Sequence, residues 1–306
     1  MGRWCCALNT PSIFNKKSMI KSHKIAALAT ILTGAMSLLA SPAMAFSIGT
    51  TNNTETLKNN LLGTKTEGLS DFSVSITGNE AAFGTFINDP FGLQSGVVLS
   101  TGRVADIAGR NLKDNVITNG FDLNTDFGEK GATGDLTQIN LSFFANSMAE
   151  KLLFEYVFGS EEFPEFGGSK FNDNFELLLN GENLAKLSDG KAVTINNLVP
   201  NADNRSTDSS DYINNPAVGG LAANIIKLDG YTKVLGFEGF LKPNQRNVLS
   251  IRVQDVGDGN LDSAVFIKGG SVRVAQVEAV PEPMTVGGLM AGGAMLAAGR
   301  KLRRRK

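Results

Sequence analysis

The side chains whose type and spacing could do chemistry are carboxylates, and they crowd into two short stretches. In YVFGSEEFPEFGGSKFNDNF, Tyr156 to Phe175, Glu161, Glu162 and Glu165 stand beside Phe163 and Phe166, and Asp173 follows. In DVGDGNLD, Asp255, Asp258, Asn260 and Asp262 alternate with glycines. Such residues serve three purposes. A pair of carboxylates can hydrolyse a glycosidic bond without histidine. Carboxylate and amide oxygens on irregular loops can hold calcium, which takes six to eight oxygens. Asp, Asn and Gly also build turns with no ligand.

The spacing weighs against catalysis. Glu161 and Glu162 are adjacent, so on a regular strand they face opposite ways. The Glu-x-Asp-x-x-Glu strand pattern of jelly-roll glycosidases is absent, and only Tyr156, Tyr212 and Tyr231 could stack on a sugar in place of tryptophan. The expectation is therefore no enzyme and no catalytic residue. For calcium, the ligand set to expect is Glu161, Glu162, Asp173, Asp255, Asp258 and Asp262, provided the two stretches meet. It is not an EF-hand, whose glycine and terminal glutamate positions are unmatched. If turns alone explain the pattern, Gly159-Ser160 ends a strand and Pro164 prevents regular pairing. The glutamates then stay solvated or accept loop N–H bonds, while Phe163 and Phe166 fold onto the core.

Other nucleophiles are removed by processing. Lys16, Lys17, Lys21 and Lys24 precede an apolar run, Ile25 to Leu39, and small residues at Ala43 and Ala45. This is the layout of a secretory signal, residues 1–45, cut after Ala45 by signal peptidase so that Phe46 leads the mature chain. Trp4, Cys5, Cys6 and His23 are the only residues of their types, and all precede the cut. Thiol and imidazole catalysis, Cys/His zinc sites and disulfides leave with them. Of 29 basic side chains, five precede residue 46 and six follow residue 280, which leaves 18 against 29 acids and a net charge near −11 between them. No basic stripe remains to neutralise phosphates, so nucleic acid is not an expected partner.

The elements that must position the acids read as strands. Alternation at Phe72, Val74, Ile76; Ile139, Leu141, Phe143; Leu152, Phe154, Tyr156, Phe158; and Leu249, Ile251, Val253 predicts sheets with one buried face. Further strands are expected at 96–100, 175–179, 192–195, 233–237, 264–267 and 271–277. Asn180-Gly181 signals a tight hairpin. Helical periodicity is confined to about Glu55–Leu62, and residues 199–224 read as a long exposed loop. The fold class is all-β, a two-sheet antiparallel, jelly-roll-like β-sandwich over residues 46–275, with short flanking helical signal segments.

Pro281, Glu282 and Pro283 precede an apolar span, Met284 to Ala298, and a basic tail, Arg300 to Lys306. Residues 276–306 thus resemble a linker followed by a PEP-CTERM sorting signal. That resemblance implies cutting at the motif by exosortase, a transpeptidase that passes substrates to the surface or matrix after transient inner-membrane anchoring. GVVLSTG (96–102), FEYVFGSEEFPEF (154–166), FNDNFELLLNG (171–181), Asp229-Gly230-Tyr231-Thr232 and DVGDGNLDSAVF (255–266) resemble the choice-of-anchor L domain. It implies a β-sandwich displayed at the cell surface, structural or adhesive, with extracellular polysaccharide or surface proteins as partners. A carbohydrate-active enzyme, or a calcium-dependent glycan-binding module using the acidic loops, is the alternative.

Overall fold

The computed structural model describes residues 45–63, 66–128, 134–270 and 273–276. Residues 1–44 of the expected secretory signal, with Ala43, and the Pro281–Pro283 motif lie outside the described residues, whereas Ala45 is described and exposed.

The expected strands form two antiparallel sheets. The larger joins β1 (Ser47–Thr50), β3 (Phe83–Ile87), β4 (Ser95–Ser100), β14 (Ser263–Lys268), β6 (Ala149–Ser160), β11 (Gly230–Thr232) and β10 (Tyr212–Asn214) in that spatial order. β12 (Leu235–Phe240) and β15 (Arg273–Gln276) also pair with β6. The smaller joins β2 (Leu69–Thr77), β5 (Leu136–Ala145), β13 (Gln245–Gln254), β7 (Asn174–Leu179) and β8 (Glu182–Asn183), and β9 (Val193–Thr194) pairs with β7. Three short α-helices, α1 (Thr54–Leu62), α2 (Val104–Ile107) and α3 (Ile195–Leu198), and two 3-10 turns, Glu80–Ala82 and Arg205–Thr207, complete the described elements.

Alternation decides which faces meet. Ile139, Leu141 and Phe143 of β5 lie across from Ile251, Leu249 and Asn247 of β13, and the apolar side chains point into the space between the sheets. Val97, Leu99, Phe154, Tyr156, Phe158, Val265 and Ile267 of the larger sheet enter the same core. This is a β-sandwich, with burial of alternate residues as its driving force.

A second core covers the outer face of the larger sheet. Val98, Val157, Ala264 and Phe266 are buried there beneath Val104, Ile107, Ile226 and Leu228. β4 and β14 therefore have two buried faces, in keeping with their continuous apolar runs Val97–Leu99 and Ala264–Ile267. The covering comes in part from residues 199–224, expected as an exposed loop. Instead they contain β10, a 3-10 turn at Arg205–Thr207, and buried Asp211, Asn215 and Ala222. The reason lies in Asn215, whose amide donates to Leu228 O at 2.8 Å and accepts from Ala222 N at 2.9 Å, tying the segment to the sheet. The expected strand at 192–195 is cut to Val193–Thr194, because Thr194 caps α3 by accepting from Asn197 N at 3.1 Å. Among the described residues no helix is long and apolar enough to cross a membrane.

Candidate functional site

Antiparallel pairing gathers the acids at one end of the sandwich. Glu161 and Glu162 follow the last residue of β6, Asp173 precedes β7, Asp255 and Asp258 follow β13, Asp262 precedes β14 and Asp229 precedes β11. Ser160 sits opposite both Ser263 and Gly230, so three strand ends converge on it. The Glu161 amide continues the ladder with a bond to Asp262 O at 3.1 Å.

Turn chemistry alone predicts glutamates that stay solvated or accept loop N–H bonds; Glu161 takes the second course with Asp122 N and Leu123 N, whereas Glu162 is buried with Oε2 unpartnered. Glu161 is wholly buried and Glu162 is 2 % exposed. Asp173, Asp229, Asp255 and Asp262 are buried with them. Phe163 enters the main core as expected, but Phe166 does not; it stays half-buried against Phe121 and Phe171, at ring distances of 6.3 and 5.4 Å. The Phe163–Pro164 peptide bond is cis.

The adjacent glutamates serve separate places. Glu162 lines a cleft of about 340 Å³ with Phe121, Asn124, Phe166, Phe171, Asp258, Asn260 and Leu261. Its Oε2 has no hydrogen-bond partner. Burial, with Asp173, Asp258 and Glu165 nearby, pushes its carboxyl up to about 9. Behind it, Asp173 accepts from Ser263 Oγ at 2.7 Å and from Val256 N at 2.9 Å, and it shares a hydrogen bond with Asp255. Burial raises both of these acids above the usual carboxylate range. Asp262 accepts from Thr125 N at 2.8 Å, while burial carries its carboxyl to about 7. Gly102 makes room for it: a Cβ there would lie 1.8 Å from Asp262 Oδ2.

Glu161 turns to another group. Its Oε1 accepts from Asp122 N at 2.5 Å and Leu123 N at 3.4 Å, yet Oε2 has no partner. Gly230 pairs with Ser160, which sets Asp229 beside Glu161 across the same ladder. Asp229 Oδ1 accepts from Asn111 Nδ2 at 2.6 Å, and Oδ2 is unpartnered. Burial raises both carboxyls, and Glu161 raises Asp229 further. Asn111 bears no motif in the sequence, and only the fold brings it here. Among the described residues no lysine or arginine pairs with Glu161, Glu162, Asp229 or Asp262. Nor, among them, are three acidic, histidine or cysteine side chains placed to hold a metal ion together. The six acids expected to share one calcium thus share an end of the sandwich and divide between two groups.

The family model for the Choice-of-anchor L domain matches residues 47–273. The chain belongs to that family. The match runs from β1 to the first residue of β15, includes every acid described above, and points to an exported, cell-surface protein. No curated protein matches this choice-of-anchor L chain. Among solved structures, the enzymatically active domain of tailspike protein 4 of bacteriophage CBA120 overlaps 68% of this chain and 20% of its own, at 10% identity and a TM-score of 0.26. The chain therefore spans about a fifth of that structure, and at such a score the likeness carries no weight for fold or function.

Proposed function

We propose that this choice-of-anchor L domain is a structural or adhesive surface module that binds extracellular polysaccharide in the Phe121–Phe166–Phe171 cleft without cleaving it. One observation carries the reading. Three half-buried rings, two amides and two carboxylates face one open cleft, which is the mixture of apolar faces and hydrogen-bonding groups that sugars present in return. Lys170 Nζ stands 4.8 Å over the Phe171 ring and adds a cation at the rim. Delivery in this reading uses signal peptidase after Ala45 and an exosortase-type transpeptidase at Pro281-Glu282-Pro283, with surface or matrix as destination.

A second reading has its own support. Glu162, raised to about 9, is a carboxyl that holds its proton at neutral pH, as a glycosidase acid does, and Asp258 lines the same cleft. A polysaccharide panel separates the two. The binding module retains polymer and releases no reducing ends, and Phe171→Ala weakens retention by roughly tenfold, in line with stacking of about 1.5 kcal/mol. Turnover abolished by Glu162→Gln establishes the enzyme instead, and absence of both binding and turnover removes the cleft from either role.

A further inference from the structure

Five large aliphatic side chains, Leu112, Val116, Ile117, Val218 and Leu221, stand more than half exposed, and Leu221 is 84 % exposed. They belong to two segments that lie side by side. Gly109 N donates to Ile225 O at 2.9 Å, Asn111 N donates to Ala223 O at 2.7 Å and Ala217 N donates to Asp114 Oδ2 at 3.0 Å, so residues 109–118 run antiparallel to 217–225. Contiguous exposed apolar surface of this kind marks an interaction site.

The apolar groups are held in place. Buried Asp114 also accepts from Ile117 N and Thr118 N, the Val116 amide bonds Asp114 O, and Asp122 Oδ2 accepts from Leu112 N and Lys113 N at 2.5 and 2.9 Å. The backbone amides of Leu112, Val116 and Ile117 are thus satisfied within the protein, and their side chains can enter an apolar medium without stranding a donor.

Charge singles out the occupant. Between residues 46 and 280 acids outnumber bases 29 to 18, yet residues 107–121 and 212–228 hold Arg110, Lys113 and Lys227 against one acid, Asp114, which is buried. Arg110 and Lys113 are exposed, and among the described residues none of the three bases joins an ion pair. Of the acids that flank the segments, Asp122 is engaged by the two amides, Asp211 and Asp229 are buried, and Asp106 is exposed. Aliphatic side chains flanked by unpaired bases complement acyl chains under negative headgroups. A second copy fits less well, because an isologous contact would set the same bases against themselves. Nor do the five exposed side chains include a ring to stack on a sugar.

We propose that the Leu112–Ile117 and Val218–Leu221 loops dock the protein on an anionic lipid surface. None of these five side chains lines the cleft, so the cleft's own role can fail without touching this one.

Vesicles of equal parts phosphatidylcholine and phosphatidylglycerol, with a photoactivatable group on the acyl chain, test the full chain. Mapping the label by mass spectrometry separates the loops from the apolar stretches Ile25–Leu39 and Met284–Ala298, which can take label in any case. Label enters residues 112–118 and 217–221, and falls there by roughly tenfold on phosphatidylcholine alone. Val218→Ser combined with Leu221→Ser lowers labelling of residues 112–118 by roughly tenfold, as the loss of two aliphatic contacts implies. Lys113→Glu lowers it on the mixed vesicles and not on phosphatidylcholine. Both variants change exposed groups and should melt with the wild type; should the double variant fail to fold, Lys113→Glu decides alone. Absence of label from both loops, equal label with and without phosphatidylglycerol, or label unchanged in the variants overturns the proposal. A lipid-free dimer in light scattering that Leu221→Ser dissociates gives the patch to a second copy and overturns it too.

Discussion

Asp114 is buried, yet it keeps its charge, because four bonds reach its carboxylate. Oδ1 accepts from Ile117 N at 2.8 Å, Thr118 N at 2.7 Å and Thr118 Oγ1 at 3.1 Å, and Oδ2 accepts from Ala217 N at 3.0 Å. Burial pushes the group up, and the amides of Thr118, Ile117 and Ala217 together outweigh it, so the carboxyl ends below its ordinary 3.8. A depressed folded value contributes stability above the unfolded value and loses it as pH falls through the folded one. Asp114→Asn should therefore cost about 1–3 kcal/mol at neutral pH. The difference from wild type should shrink below pH 3.8, as read by urea unfolding across that range. A penalty that does not change with pH would show the charge to be irrelevant. Glu162 is pushed the opposite way, and the difference is backbone N–H groups: Asp114 receives three and the Glu162 carboxylate receives none. The sequence shows which positions are acidic. It does not show which acids will be supplied with donors, since Ala217 reaches Asp114 from 103 residues away.

At the scale of elements, Phe266 links the outer core to β14. Its ring lies 4.9 Å from Phe91, 5.4 Å from Phe86 and 6.3 Å from Phe46. Phe266→Ala should cost about 3–5 kcal/mol by chemical denaturation, and a cost below about 1 kcal/mol would mean that the second core contributes little. β5 and β13 were legible because each buries one face and alternates along its length. The Asn180-Gly181 hairpin was legible too, since both residues take positive φ, 53° and 91°, where Asn and Gly are tolerated. β10 and β11, at three residues each, are too short for any period to show. They form because Tyr212, Ile213 and Asn214 find Thr232, Tyr231 and Gly230, a tertiary choice. The same short β11 positions Asp229, so Asp229-Gly230-Tyr231-Thr232 stood out in the sequence by resemblance alone, with neither its strand nor its place beside Glu161 legible. The acid-rich cleft was foreshadowed by Glu162, Asp258 and Asn260, whereas Phe121 and Asn124 join it from a segment without pattern.

For the whole molecule, the sandwich is acidic, with 18 basic against 29 acidic side chains between residues 46 and 280. The sandwich starts where the signal is expected to end: Phe46 packs on Phe266, and β1 begins at the next residue. A cut after Ala45 would leave this packing intact and would remove Cys5, Cys6 and His23. At the far end, β15 closes at Gln276, five residues before Pro281. The intact mass of the protein recovered from the surface or matrix of cells that make it tests this most directly. The account predicts a chain that begins at Phe46 and ends at the Pro281–Pro283 motif. A mass that still includes Cys5 to His23, or the basic tail from Arg300 to Lys306, would contradict it.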